Sequence, residues 1–108
     1  MLLEICVYRC LPGRLPALMK RFESSTLALF EKHGFTPHGF FTTVIGESHQ
    51  ELTYMLRWSS LEERERCWHA FHTDPDWIAA RTASEADGFI VANASNQILQ
   101  PTPFSPLQ

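Results

Sequence analysis

The stretch Trp58 to Ile78, WSSLEERERCWHAFHTDPDWI, constrains the fold more than any other. An alternating run, Glu51 to Trp58 (ELTYMLRW), reads as a strand with Leu52, Tyr54, Leu56 and Trp58 on one face and Thr53, Met55 and Arg57 on the other. It runs into Ser60-Leu61-Glu62-Glu63, the S-x-x-E spacing of a capping box, in which the serine hydroxyl and the glutamate satisfy amides of the first helical turn. The helix that follows carries Leu61, Arg64, Cys67, Trp68 and Phe71 at helical spacing. His72-Thr73-Asp74-Pro75 breaks and restarts it. Asp74 can cap, Pro75 suits a first turn, and Asp76 lies at the positive end of the helix dipole. The second piece is expected to reach about Ala86, before Asp87-Gly88.

The remaining elements fall around this strand–helix unit. Leu2 to Cys10 reads as a strand, with Leu3, Ile5 and Val7 opposite Glu4, Cys6 and Tyr8. Arg14 to His33 reads as a helix with Leu15, Leu18, Met19, Phe22, Thr26, Leu29 and Phe30 inward and Lys20, Arg21 and Glu23 mostly off the stripe. His33-Gly34 matches its C-terminus. Gly39 to Gly46 reads as a second strand, joined to the third by the short link Glu47 to Gln50. Phe89 to Ala94 reads as a fourth, with a continuation to Leu99. The expected domain is residues 1–100, followed by a Pro-rich tail, residues 101–108.

The order β-α-β-β-α-β specifies an α+β, ferredoxin-like fold: a four-stranded antiparallel sheet with its helices on one face. The other face is apolar too, with Cys6, Tyr8, Phe40, Val44 and Met55 expected on it. An uncovered apolar sheet face marks an interface. A homodimer through the open sheet face, a dimeric α/β barrel, covers it most economically.

Composition narrows the function classes. A net charge of −3 argues against nucleic-acid and anionic-membrane binding. No window approaches the ~20 apolar residues of a membrane span. Cys6 and Cys10 on one strand would stand roughly 13 Å apart, too far for a disulfide. Reduced thiols in a cytoplasmic protein are the expectation. Glu4 and Arg9 interrupt the N-terminal apolar run, so no signal peptide or other presequence is expected. His69 and His72, spaced i, i+3, could offer a metal two ligands, but a local third is missing. No phosphate-cradling glycine loop is present. No metal and no cofactor are expected.

The candidate site residues each have a plain structural reading. Trp68, Phe71 and Trp77 could wall a pocket for a flat apolar ligand, or simply fill the core. His72 with Asp74 could be an acid–base pair, or two local caps. His38 with Tyr8 and Arg57 could set a base, a phenol and a cation around one cavity, or stay at the surface. Trp58 and Arg81 are further candidates for ligand contact, while His33 reads as a cap and His69 as solvent-facing.

Short segments spread along the chain carry a family resemblance: Tyr8-x-x-x-Pro12-Gly13-Arg14, Phe30-x-x-His33-Gly34, Gly39-Phe40-Phe41, Ile45-Gly46, Tyr54-Met55-Leu56-x-Trp58, Leu61-x-x-Arg64, Trp68-x-x-Phe71, Asp74-Pro75-x-Trp77, and Leu99-x-Pro101-Thr102-x-Phe104-Ser105-Pro106. In this order they resemble a NIPSNAP domain of the short, single-domain bacterial kind. The resemblance implies the dimeric α/β barrel and supplies no catalytic residues. Two functions are compatible with it. One is a homodimeric module binding a small apolar ligand or a partner protein. The other is a cofactor-independent monooxygenase or isomerase acting on a small aromatic or quinone-like substrate, with His72 or His38 as base. Haem degraders of this fold use a histidine near the end of the second helix and an asparagine in the first strand. Arg81 stands in that zone here, and Leu2 to Cys10 contains no asparagine.

Overall fold

The chain folds as β1 (Leu2–Cys10), α1 (Leu15–Arg21), a π-helical segment (Phe22–Thr26), α2 (Leu27–Lys32), β2 (Thr36–Thr42), β3 (Glu51–Trp58), α3 (Leu61–Thr73), α4 (Pro75–Ser84) and β4 (Val91–Leu99). The computed structural model describes residues 1–108. All strand pairings are antiparallel, in the order β2-β3-β1-β4. This is the ferredoxin-like arrangement expected from the sequence.

The pleat decides which side chains meet the helices. Glu4 pairs with Leu56 and Cys6 with Tyr54 across the β1–β3 ladder, and all four are buried. Tyr8 and Phe40 share that face: Tyr8 packs edge-on against Phe22 and Tyr54, and Phe40 stacks on Tyr54. The expectation that Cys6, Tyr8 and Phe40 line the open face is therefore corrected. Val44 lies beyond β2 and is 84% exposed. The open face carries Leu3, Ile5 and Val7 of β1, in register with Arg57, Met55 and Thr53 of β3.

Two strands start at places other than the composition suggests. β2 begins at Thr36, not Gly39, and includes Pro37. Proline is tolerated because β2 is an edge strand, and the register shifts between Pro37 and Gly39. β4 begins at Val91, because the buried Ile90 spends its carbonyl on the Leu11 amide (2.9 Å).

The first helix is one helical run with a widened turn. Ser24 Oγ donates to the Lys20 carbonyl (2.7 Å), Thr26 Oγ1 donates to the Arg21 carbonyl (3.4 Å), and the Leu27 amide reaches back to Phe22. Such hydroxyl back-bonding competes with the α-helical ladder. Arg21, Phe22 and Thr26 are all buried, so Arg21 departs from its expected surface position. The core is an aromatic cluster centred on Phe30 and Phe35, stacked at 4.4 Å, with Tyr54, Trp58 and Phe71 around them.

Candidate functional site

Glu4 organises the space between α3 and the sheet. Its carboxylate is 1% exposed and accepts five hydrogen bonds: Trp58 Nε1 (2.9 Å), Trp68 Nε1 (3.1 Å), Arg64 Nε (3.0 Å) and Nη2 (2.9 Å), and Asn96 Nδ2 (2.9 Å). Burial alone would raise its pKa. The donors from Arg64, Asn96, Trp68 and Trp58 outweigh burial and lower it to about 2. The carboxylate thus fixes two indole rings and ties β1, β3, α3 and β4 together. Glu4 interrupts an apolar strand and Arg64 interrupts an apolar helix stripe. Those two misfits are the sequence signal for this pair.

Above this network lies a cleft of about 430 Å³, lined by Glu4, Cys6, Tyr8, Arg64, Glu65, Trp68, His69, His72, Ala94, Ser95 and Asn96. A smaller cavity of about 200 Å³ adjoins it and shares Tyr8, Trp68 and His72. Its walls are Phe22, Phe30, Phe71, Trp77, Phe89 and Val91, with Arg21, Arg81 and Glu85 as the charged groups. Five residues expected in a pocket, Tyr8, Trp68, Phe71, Trp77 and Arg81, line this second cavity with His72. His69 sits on the rim of the first.

The polar groups here have defined protonation. The Tyr54 hydroxyl donates to the Tyr8 hydroxyl (2.7 Å), and burial pushes the Tyr8 phenol up to about 12, so it keeps its proton at neutral pH. Burial likewise pushes the Cys6 thiol up to about 12 and raises Cys10 and Cys67. None has the electropositive setting of a reactive thiolate. The His72 ring stacks on Trp68 at 5.1 Å. Desolvation there, aided by the positive charge of Arg81 and by His69, lowers its pKa and favours neutral imidazole. No three His, Cys, Asp or Glu side chains are grouped to hold a metal ion.

Several expected groupings are not formed. Asp74 pairs with Lys32 (2.8 Å) and His33 Nε2 (2.7 Å) and caps α4 through the Asp76 amide (2.8 Å), so its partners are these and not His72. His33 is therefore a tie between helices. His38 and Arg57 border a shallow surface hollow with Thr36 and Glu63, while Tyr8 faces the helices. The Tyr8–His38–Arg57 constellation does not exist because β2 is an exposed edge and Arg57 points to the open face. Trp58 is 1% exposed and lines neither the cleft nor the cavity; it is core packing and a donor to Glu4.

The NIPSNAP family model matches residues 3–106. A crystal structure of a NIPSNAP family protein of unknown function from Agrobacterium tumefaciens is 30% identical, with a TM-score of 0.85, covering 100% of this chain and 94% of that one. An uncharacterized NIPSNAP domain protein from Burkholderia xenovorans has a TM-score of 0.83 at 20% identity, covering 98% of this chain and 99% of its own. A putative antibiotic biosynthesis monooxygenase from Nitrosomonas europaea shares the fold at 8% identity and a TM-score of 0.63, over 94% of this chain and 98% of that one. No curated protein matches the chain.

Proposed function

The chain belongs to the NIPSNAP family, and on that premise we propose that it is a homodimeric α/β-barrel protein that binds a small, mostly apolar molecule between its helices and its sheet. The carrying observation is the pair of adjoining cavities, walled by aromatic rings and furnished with a few polar groups. Tyr8, Trp68, Phe71, Trp77 and Arg81 are the contact residues of this reading. Residues 1–100 form the barrel domain of this reading, followed by the Pro-rich tail, residues 101–108. The reading places the protein in the cytoplasm, where its three unpaired cysteines stay reduced. No helix is long and apolar enough to cross a membrane.

Ala94 lines the cleft and is exposed on β4, so a large side chain there blocks the cleft without disturbing the core. One- and two-ring aromatic compounds should raise the melting temperature of the natural protein and leave that of Ala94→Trp unchanged. Equal shifts in both would remove the cleft from the account.

His72 favours a second reading, a cofactor-independent monooxygenase or isomerase acting on a small aromatic or quinone-like substrate. A neutral imidazole beside the Tyr8 phenol in an aromatic cavity is suited to accept a substrate proton. His38 lies outside both cavities, so the base role falls to His72 alone. Turnover of such a substrate that survives His72→Ala intact would end this reading.

A further inference from the structure

We infer that the smaller cavity receives the charged end of an aromatic anion, a carboxylate or phenolate, with its negative oxygen between the Arg21 guanidinium and the Tyr8 hydroxyl. The inference rests on the reading that the helix–sheet cavity binds a small aromatic molecule, and it specifies that molecule's charge.

Arg21 is the first ground. Its side chain is 5% exposed, and its Nε is the single buried side-chain nitrogen or oxygen without a hydrogen-bond partner in the protein. A buried donor left unpaired is costly, and a native site that keeps one has a use for it. The guanidinium's other contacts are long: Nη1 lies 3.3 Å from Ser84 Oγ and 3.4 Å from Glu85 Oε1. The widened turn that follows Arg21 buries it beside Phe22 and Thr26, and such turns recur at functional sites.

Charge is the second ground. Arg21, Arg81 and Glu85 are the charged residues on this wall, and both arginines share Glu85 Oε1 (3.4 and 3.3 Å). One carboxylate between two guanidiniums leaves one positive charge uncompensated. His72 does not offset it, since imidazole is neutral or positive. Burial also lowers the Arg21 pKa, a penalty that an anion in the cavity relieves.

Tyr8 is the third ground. Its hydroxyl oxygen accepts from Tyr54, which leaves its own proton free to donate. An oxygen held by the Arg21 guanidinium and the phenolic O–H of Tyr8, both of which line the cavity, receives two donors, one of them charge-assisted. The rest of the cavity suits a ring: Arg21 already lies 5.3 Å above the Trp77 ring, with Phe22 and Phe71 close by. A volume of about 200 Å³ admits one ring and its acid group, and Tyr8, Trp68 and His72 border both this cavity and the larger cleft, where a second ring has room.

The test compares 1-naphthoate with its neutral isostere, 1-naphthamide, on the natural protein, Arg21→Gln, Arg21→Lys and Tyr8→Phe. The natural protein should bind naphthoate at least about tenfold more tightly than naphthamide, the size expected of one charge-assisted hydrogen bond. The Arg21 Nε–Hε NMR resonance should move on saturation with naphthoate. Arg21→Gln should bring the two probes to parity, Arg21→Lys should keep part of the preference, and Tyr8→Phe should weaken naphthoate alone. Should Arg21→Gln not fold, the natural protein's probe preference and its Nε–Hε resonance decide. Equal affinities in the natural protein, or an unmoved Nε–Hε resonance, overturn the anion inference while the cavity reading stands. Binding of neither probe overturns both.

Discussion

At the scale of single residues, the most consequential side chain is Glu4. It is a carboxylate on the buried face of a central strand, and every one of its partners comes from another element. Its folded-state pKa of about 2 lies below the 4.5 of an unperturbed glutamate. The stabilisation it supplies is therefore complete above pH ~4.5 and lost as pH falls toward ~2. Glu4→Gln turns an amide toward five donors and should cost about 3 kcal/mol at pH 7 in urea unfolding. The gap between the two proteins should close between pH ~4.5 and ~2, because Glu4 is the one titrating group that distinguishes them. A gap that stays constant across that window would show that Glu4's charge is not what the network uses. Sequence periodicity could mark Glu4 and Arg64 as misplaced charges. It could not pair them, because their meeting depends on how α3 lies across the sheet.

At the scale of elements, local signals were the legible ones. β1, β3 and the start of α3 match their expected limits, because alternation and the Ser60 cap are short-range effects. Ser60 Oγ accepts from the Glu63 amide (3.1 Å), while the Glu63 carboxylate reaches the Ser59 amide (2.6 Å), one residue before the usual capping-box target. Ser60→Ala should lower stability by about 1 kcal/mol, measured by urea denaturation. A loss within error would mean that the Glu63–Ser59 clasp holds the helix start alone. The edges of β2 and β4, the widened turn after Arg21 and the face assignment of β1 were not legible. Each depends on tertiary packing: an edge tolerates Pro37, Ile90 serves the chain after β1, and either face of β1 reads as apolar enough to be inside. The site followed the same rule. Trp68 and Phe71 are visible as a helical stripe, and Trp77 as an aromatic in the first turn after the Asp74-Pro75 restart. The partners His33 and Asp74, distant in sequence, were not.

At the scale of the whole molecule, the chain is less compact than its length requires. The radius of gyration is 14.6 Å, against about 13 Å for a compact chain of this length. Apolar groups stand out from the body: Val44 and Ile45 are 84% and 94% exposed, and Phe104 in the tail is 87% exposed. Leu3, Ile5, Val7 and Met55 lie on the open face. The proposed homodimer, built on that face, covers Leu3, Ile5, Val7 and Met55 and turns two sheets into one barrel. Sedimentation should give the mass of two chains, and Ile5→Glu, placed at the centre of the open face, should give a folded species near the 12.4 kDa of one. A natural protein that stays monomeric at micromolar concentration contradicts this arrangement.

The space between α3, α4 and the sheet is the proposed ligand site. The three tryptophans report on it directly, since Trp68 and Trp77 wall the cavities and Trp58 is sealed beneath them. In a ¹⁵N-labelled sample titrated with 1-naphthoate, the indole N–H resonances of Trp68 and Trp77 should shift in a saturable way while that of Trp58 moves far less. Three unmoved indole resonances at saturating probe, or a shift greatest at Trp58, would contradict the account.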